Sequence, residues 1–384
     1  MKAFVAAAAA LAMLAPSAGR ARVAAGPQAV ASSGALGANY NEHFEDVDYR
    51  DLEKAQTHWV RIFLPMPQID RDGAAGHGAV QTILDAHKHG YHTLFTLKWP
   101  YNRSAFPKAG SKEMKRELAR LDEVLPLVVG KVDILEIGNE PFIESLKEDR
   151  GADLNAFYET MARHVIQWRK AHCPTACATH LYMGSLTRLE FPKDQTATTE
   201  RWMTFVKNTP EIDGVDIHPH VSDIAQSKAY LDYVLPRMRA DQKFISTEFS
   251  LIWWWKQQMK KPVAPAFARM YHLPSGTLNW QVIADALANP FGKSEWDDFL
   301  ALSPWFETRR HYLVNQMKLF RDTGRLEVAT YGFKQGSSMS ADFGPDKDPW
   351  LINSVFAARS VHANPDGSAA YGYGWIQDFR ALQR

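Results

Sequence analysis

The stretch Val132–Phe142, VDILEIGNEPF, decides how the rest of the chain is read. Asp133 and Glu136 apart, Val132 to Ile137 is a β-branched and leucine-bearing run of the kind buried inside a parallel sheet. Glu140 arrives where the run stops, and Pro141 prevents its smooth continuation. In an α/β fold the carboxyl ends of the strands form the ligand face, so Glu140 is either part of a site or an ordinary solvated loop carboxylate. What the other strand ends carry decides between the two.

Outward from this run, strand-like segments alternate with amphipathic ones. WVRIFL (59–64), YHTLFTLKW (91–99), VDILEIG (132–138), ATHLYMG (178–184), IDGVDIH (212–218), KFISTE (243–248) and LEVATYGF (326–333) read as short strands, and LGANYNE (36–42) supplies an eighth. Between them, helical spacing runs over Val47 to Ala55, Val80 to His89, Glu113 to Val129, Leu154 to Ala171, Thr199 to Lys207, Ala225 to Arg239 and Phe306 to Arg321, with a last helix over Pro349 to Val361. Eight strands each followed by a helix predict an α/β fold of the (β/α)8 TIM-barrel type, and the chain has no glycine-rich phosphate fingerprint that would favour an open nucleotide-binding sheet. One connection breaks the rhythm. Residues 251–304, beginning LIWWWKQQMKKP, read as a long loop inserted after strand seven, either a cover over the cleft or a surface insertion.

Composition narrows the partners. With 44 basic against 43 acidic side chains and a formal net charge of +1, the chain has no global field for nucleic acid or an anionic membrane, and a neutral substrate fits better. Its 12 Trp and 13 Tyr suit the apolar faces of sugar rings, although most large aromatics simply fill cores. The first residues, MKAFVAAAAALAMLAPSAGRARVAAG, carry one Lys, an apolar run too short to span a bilayer, and small residues near Ala18 and Ala21. They predict a signal peptide over 1–21, a secreted or periplasmic protein without a membrane span, and a single barrel over 22–384. Cys173 and Cys177 in HCPTAC form either a small disulfide loop or two free thiols; with no paired His motif following, they do not suggest zinc. No feature of the sequence sets an oligomeric state.

In a barrel the polar residues at strand ends converge on one face. They are Asn39 and Asn41 near strand one, Arg61 within strand two, Trp99 and Tyr101 after strand three, and Asn139 and Glu140 after strand four. His218 and His220 follow strand six, Glu248 ends strand seven, and Gln335 ends strand eight. Two carboxylates on well-separated strands can face each other across such a pocket, which is the requirement of glycosidic bond cleavage.

IGNEP at strand four and STEFS (246–250) at strand seven resemble the signature of glycoside hydrolase clan A, the (β/α)8 retaining glycosidases that include cellulases, mannanases and xylanases. WVRI resembles the clan's arginine-bearing second strand, and DIHPH (216–220) is similar to its His-x-Tyr on the sixth; His220 stands where many members have Tyr. The resemblance implies Glu140 as acid/base, Glu248 as nucleophile, a poly- or oligosaccharide substrate, and neither cofactor nor metal. On that footing Arg61 holds Glu248 ionised and Asn139 donates to the sugar 2-hydroxyl. His218 is a sugar-hydroxyl partner, an orienting group or a structural histidine. Trp253, Trp254 and Trp255 open the insertion, and since consecutive residues cannot all face one ligand, one or two of them, with Trp253 and Trp254 first, stack on sugars. Trp99 and Tyr101 form a second wall or a loop core.

Two rivals share these residues. A divalent-metal barrel such as a sugar isomerase would use Glu140, His218, His220 and Glu248 as ligands, which suits Mn²⁺ or Zn²⁺ but leaves Asn139 and Pro141 idle. A catalytically inactive carbohydrate-binding barrel has no need of both carboxylates.

Overall fold

A computed structural model describes residues 34–173 and 177–383. The expected signal peptide lies outside the described residues. Eight strands, β1 (Ala35–Asn39), β2 (Trp59–Pro65), β3 (His92–Lys98), β4 (Ile134–Ile137), β5 (His180–Thr187), β6 (Gly214–His218), β7 (Lys243–Ser246) and β8 (Leu326–Gly332), form one closed barrel in sequence order. Every neighbouring pair is parallel, and β8 returns to β1 with Thr330 opposite Gly37, so no edge is left open. The fold is therefore the (β/α)8 TIM barrel expected.

The period of two along each strand separates two cores. Val60, Ile62 and Leu64 on β2, with Phe95 and Leu97 on β3, point outward and are buried under the helical ring. The alternate positions point into the barrel, where Trp59, Leu94, Ile134, Tyr182, Ile245 and Val328 make a closed apolar floor. Above that floor the inward positions turn polar: Arg61, Thr96, Glu136, Asp216 and Thr330 are all fully buried. The barrel thus carries its polar groups on an apolar plug, towards the carboxyl ends of the strands.

The connecting helices agree with the amphipathic segments: Tyr49–Ala55, Gly78–Lys88, Lys112–Val128, Ala152–His172, Ala197–Asn208 and Ile224–Val234. Their starts follow local chemistry. The Ser111 side chain accepts the Met114 N–H, and Thr196 and Asp223 close capping boxes. The helix expected over Phe306 to Arg321 is split into Pro304–Glu307 and Tyr312–Arg321.

Two expectations need correction. Residues 251–304 are not a loop but a helical insertion of Ile252–Met259, Pro265–Met270, Asn279–Ala288 and Lys293–Ala301. Trp255, Met259, Phe267, Ile283, Trp296 and Phe299 bury themselves and extend the outer core. Pro262, Pro265, Pro274 and Pro290 cut the segment into pieces too short to show a long helical period, hence its loop-like sequence. The last helix is Trp375–Ala381, not Pro349 to Val361, where only Trp350–Ile352 makes a 3₁₀ turn. Val355 and Phe356, spaced as on a helix, instead donate from extended chain to the carbonyls of Gly332 and Phe333, at 3.0 Å each. Cys173 and Cys177 are joined as a disulfide. Among the described residues no helix is long and apolar enough to cross a membrane.

Candidate active site

The mouth of the barrel opens into a cavity of about 310 Å³. Glu140 and Glu248 face each other across it: with His218 and His220 they bring one ligand atom each within 4.8 Å of one another. Both carboxylates keep about 15% of their side-chain surface exposed.

Backbone geometry at the end of β4 aims Glu140. Gly138 has φ +107°, where a Cβ would also meet the Gly184 carbonyl oxygen at 2.3 Å. Glu140 itself sits in the left-handed region at φ 42°, a conformation costing a non-glycine residue about 1 kcal/mol or more and concentrated at functional sites. The surroundings compensate: its N–H donates to Ser185 Oγ at 2.9 Å, and its carbonyl accepts the N–H groups of Ile143 and Glu144.

Arg61 organises the Glu248 side. Its fully buried guanidinium donates to Glu248 Oε1 at 2.7 Å, to Asn139 Oδ1 at 2.9 Å, and to Asn39 Oδ1, Asn41 Oδ1 and Thr96 Oγ1 at 3.1 Å each. Burial opposes ionisation of Glu248. The charges of His218 and Arg61 outweigh it and hold the carboxyl well below the usual carboxylate range.

His218 organises the other side. Its Nδ1 donates to Glu140 Oε1 at 3.1 Å, and its Nε2 lies 2.7 Å from Thr247 Oγ1 and 2.8 Å from Asp216 Oδ2. Burial disfavours a charge here too, yet Asp216 and Glu248 hold the imidazole well above its usual value, so it stays protonated. Beneath it, burial and the Asp216 charge push the Glu136 carboxyl well up, which keeps this fully buried pair from carrying two negative charges. His220 Nε2 stands 3.6 Å from Glu248 Oε2 and 3.9 Å from Glu140 Oε1, with Nδ1 bound to Ser250 Oγ at 2.8 Å.

No protein-family model matches the chain, and no curated protein does. Solved structures do. The chain is similar to a β-glucosidase from Exiguobacterium marinum at 8% identity and a TM-score of 0.50, covering 91% of this chain and 97% of that one. It also matches the cellotetraose complex of an endocellulase from Pyrococcus horikoshii (9% identity, TM-score 0.47, covering 91% and 93%). A further match is the GH26-CBM35 β-(1,4)-mannanase of Podospora anserina (7% identity, TM-score 0.40), of whose length the chain spans 65% while 92% of this chain is covered. The likeness is one of fold. It leaves the site to be argued from its own side chains.

Of the residues expected at the site, Asn39, Asn41, Asn139, Glu140, His218, His220, Glu248, Trp253 and Gln335 line the cavity, with Arg61 directly beneath. Three do not. Trp99 is fully buried on the outward side of β3, donating through Nε1 to Glu117 Oε2 at 3.0 Å, and the Tyr101 hydroxyl donates to Glu117 Oε1 at 2.6 Å. Both serve the packing of helix Lys112–Val128, because the parity that turns Leu94 and Thr96 inward selects Lys98, not Trp99, for the cavity. Trp254 donates to the Trp305 carbonyl at 2.9 Å on the far side of its helix. Successive residues on a helix are about 100° apart, so of the three tryptophans only Trp253 faces the cavity, and Trp255 is fully buried with Nε1 donating to Asn353. Sequence reasoning missed Lys98, Glu144, Tyr230 and Trp350, which also line the cavity; Trp350 sets its ring edge-on to His220 at 5.0 Å. The inward parity of β3 was the signal for Lys98. Trp350 lies in a stretch whose apolar spacing imitates a helix.

Proposed function

We propose that the protein is a retaining glycoside hydrolase that cleaves neutral poly- or oligosaccharides by double displacement, with Glu248 as nucleophile and Glu140 as acid/base. The observation that carries this is the carboxylate pair: oxygens within 4.8 Å on opposite sides of one cavity. Retention requires carboxyl groups about 5–5.5 Å apart, and inversion about 6.5–9.5 Å. The environment of Glu248 supports its part in this division of roles. Glu248, bound by Arg61 at 2.7 Å and held ionised, suits attack on the anomeric carbon. As that C–O bond forms, the bond to the leaving oxygen breaks and the oxygen takes a proton from Glu140. A water then attacks the glycosyl ester, losing its proton to Glu140 and releasing Glu248. Asn139, its carbonyl fixed by Arg61, presents Nδ2–H to the hydroxyl beside the reacting carbon. Trp253 and Trp350 supply apolar surface for sugar faces. The β-glucosidase of like fold is named for the same class of reaction. The signal-like N-terminus and the Cys173–Cys177 disulfide support an exported enzyme.

The rival metal reading has one observation in its favour, the convergence of Glu140, His218, His220 and Glu248. Against it, Arg61 places a guanidinium 2.7 Å from Glu248, and both ring nitrogens of His218 are already engaged. A divalent cation there would stand beside a fixed positive charge.

The experiment is a screen of polysaccharides and aryl glycosides, followed by azide rescue on the active substrate. Glu248→Ala with azide is expected to give an inverted glycosyl azide, and Glu140→Ala with a good leaving group a retained one. The opposite pairing reverses the roles. Hydrolysis unimpaired in both variants, or a stoichiometric metal needed for turnover, refutes the proposal.

A further inference from the structure

Glu144 lines the same cavity, four residues after Glu140, and the mechanism above gives it no task. The turn that begins at Glu140, whose carbonyl accepts the Glu144 N–H at 2.9 Å, brings the Glu144 carboxyl back beside Asn139. Asn139 Nδ2 donates to Glu144 Oε1 at 3.3 Å. The same oxygen is 2.6 Å from the ammonium of Lys98, which in turn sits 4.4 Å above the ring of Phe63. At its other end the Asn139 amide is gripped by Arg61. Its carbonyl must therefore face the guanidinium and its N–H₂ the carboxylate, and the flipped amide would set donor against donor and acceptor against acceptor. Among the described residues Nδ2 has no second acceptor, so one N–H remains for a ligand in the cavity.

We infer that Glu144, held by Lys98, is a positioning residue that orients and polarises the Asn139 amide toward the sugar hydroxyl beside the reacting carbon. The inference rests on the glycosidase reading and deepens it. An amide whose one N–H already donates to a carboxylate in a water-poor pocket is fixed in plane, and it pays no reorganisation when the hydroxyl gains charge in the transition state. The advantage lies in the transition state, so it shows in kcat more than in KM.

The charges around Glu144 support the same role. Burial, and then the charge of Glu140, push its carboxyl up to about 7, against the pull of Lys98 and the hydrogen bond from Asn139. The groups that face the pair are Lys98 on β3, Glu140 and Asn139 on its own turn, Tyr158 on helix Ala152–His172, and Glu42 after β1, opposite Lys98. A carboxyl titrating there switches the pull on Asn139 on as pH rises.

The test compares wild type, Glu144→Gln and Lys98→Met on an aryl glycoside that the wild type hydrolyses and on its 2-deoxy analogue. Glu144→Gln is expected to lower kcat on the full substrate about tenfold, the size of one charge-assisted hydrogen bond, with KM changed less than about threefold. On the 2-deoxy substrate the two proteins should turn over alike, because the hydroxyl that Asn139 serves is gone. The step in kcat near pH 7 should disappear in Glu144→Gln and move upward in Lys98→Met, which removes the group that holds the Glu144 carboxyl down. An equal penalty on both substrates in a folded Glu144→Gln overturns the inference alone. A wild type inactive on every glycoside overturns the glycosidase reading and the inference with it.

Discussion

Replacing Arg61 by Met removes a buried cation that ties Glu248, Asn139 and β1 together while nearly preserving volume. The guanidinium is fully buried and makes the 2.7 Å bond to Glu248 and the 2.9 Å bond to Asn139. A hydrogen bond involving a charged group contributes about 1.5–3 kcal/mol, so loss of the first raises the Glu248 carboxyl by roughly 1–2 pKa units. Adding the loss of the Asn139 anchor, the transition state is destabilised by about 3–5 kcal/mol, and kcat/KM falls by roughly 10²–10⁴. The assay is kcat/KM against pH on an activated aryl glycoside. Its acid limb, which on the proposed mechanism reports Glu248, should move upward by about 1–2 units. Folding changes with a definite sign. Because the folded Glu248 lies below its ordinary value of 4.5, it contributes stability that is present above that value and lost as pH falls. The stability deficit of Arg61→Met is therefore largest at neutral pH and narrows in acid. Arg61→Lys keeps the charge but not the planar fork, and should fall between the two. A folded Arg61→Met with kcat/KM within about threefold of wild type and an unmoved acid limb would refute the assignment of Arg61 and, with it, of Glu248.

Three further outcomes follow from where side chains lie. Trp253→Ala should raise KM on oligosaccharides by about fivefold or more, as expected of a lost aromatic contact, whereas Trp255→Phe should leave KM alone and lower the melting temperature; steady-state kinetics and calorimetry separate them. Trp99→Phe and Tyr101→Phe each remove a donor from the buried Glu117 and should cost about 1–2 kcal/mol in denaturant unfolding without changing kcat/KM, against the second sugar wall. Gly184→Ala places a Cβ 1.8 Å from Glu136 Oε1, and should destabilise the fold by about 2 kcal/mol or more because neither strand can withdraw from the closed barrel; a neutral result would mean that Glu136 has room to move.

The sequence by itself determined the barrel and the pair at its centre. Alternating strands and amphipathic segments leave a chain of this length few other ways to bury both faces of eight short strands, and any parallel barrel gathers its strand ends on one rim. Glu140 and Glu248 were therefore legible as candidates for one rim, and the resemblance of IGNEP and STEFS singled them out. What the tertiary structure decided was which side of each element faces that rim. The period of two says that Lys98 and Trp99 point opposite ways, but only barrel closure sends Lys98 to the cavity and Trp99 to Glu117. The helical 100° step says that Trp253, Trp254 and Trp255 diverge, but only the docking of Ile252–Met259 gives Trp253 to the substrate side. Glu136 looked like an interruption in an apolar strand. Its place beside Asp216 and beneath Arg61 becomes visible only when β2, β4 and β6 are brought around one axis, because such a charge is tolerated only with partners that lie far away in sequence.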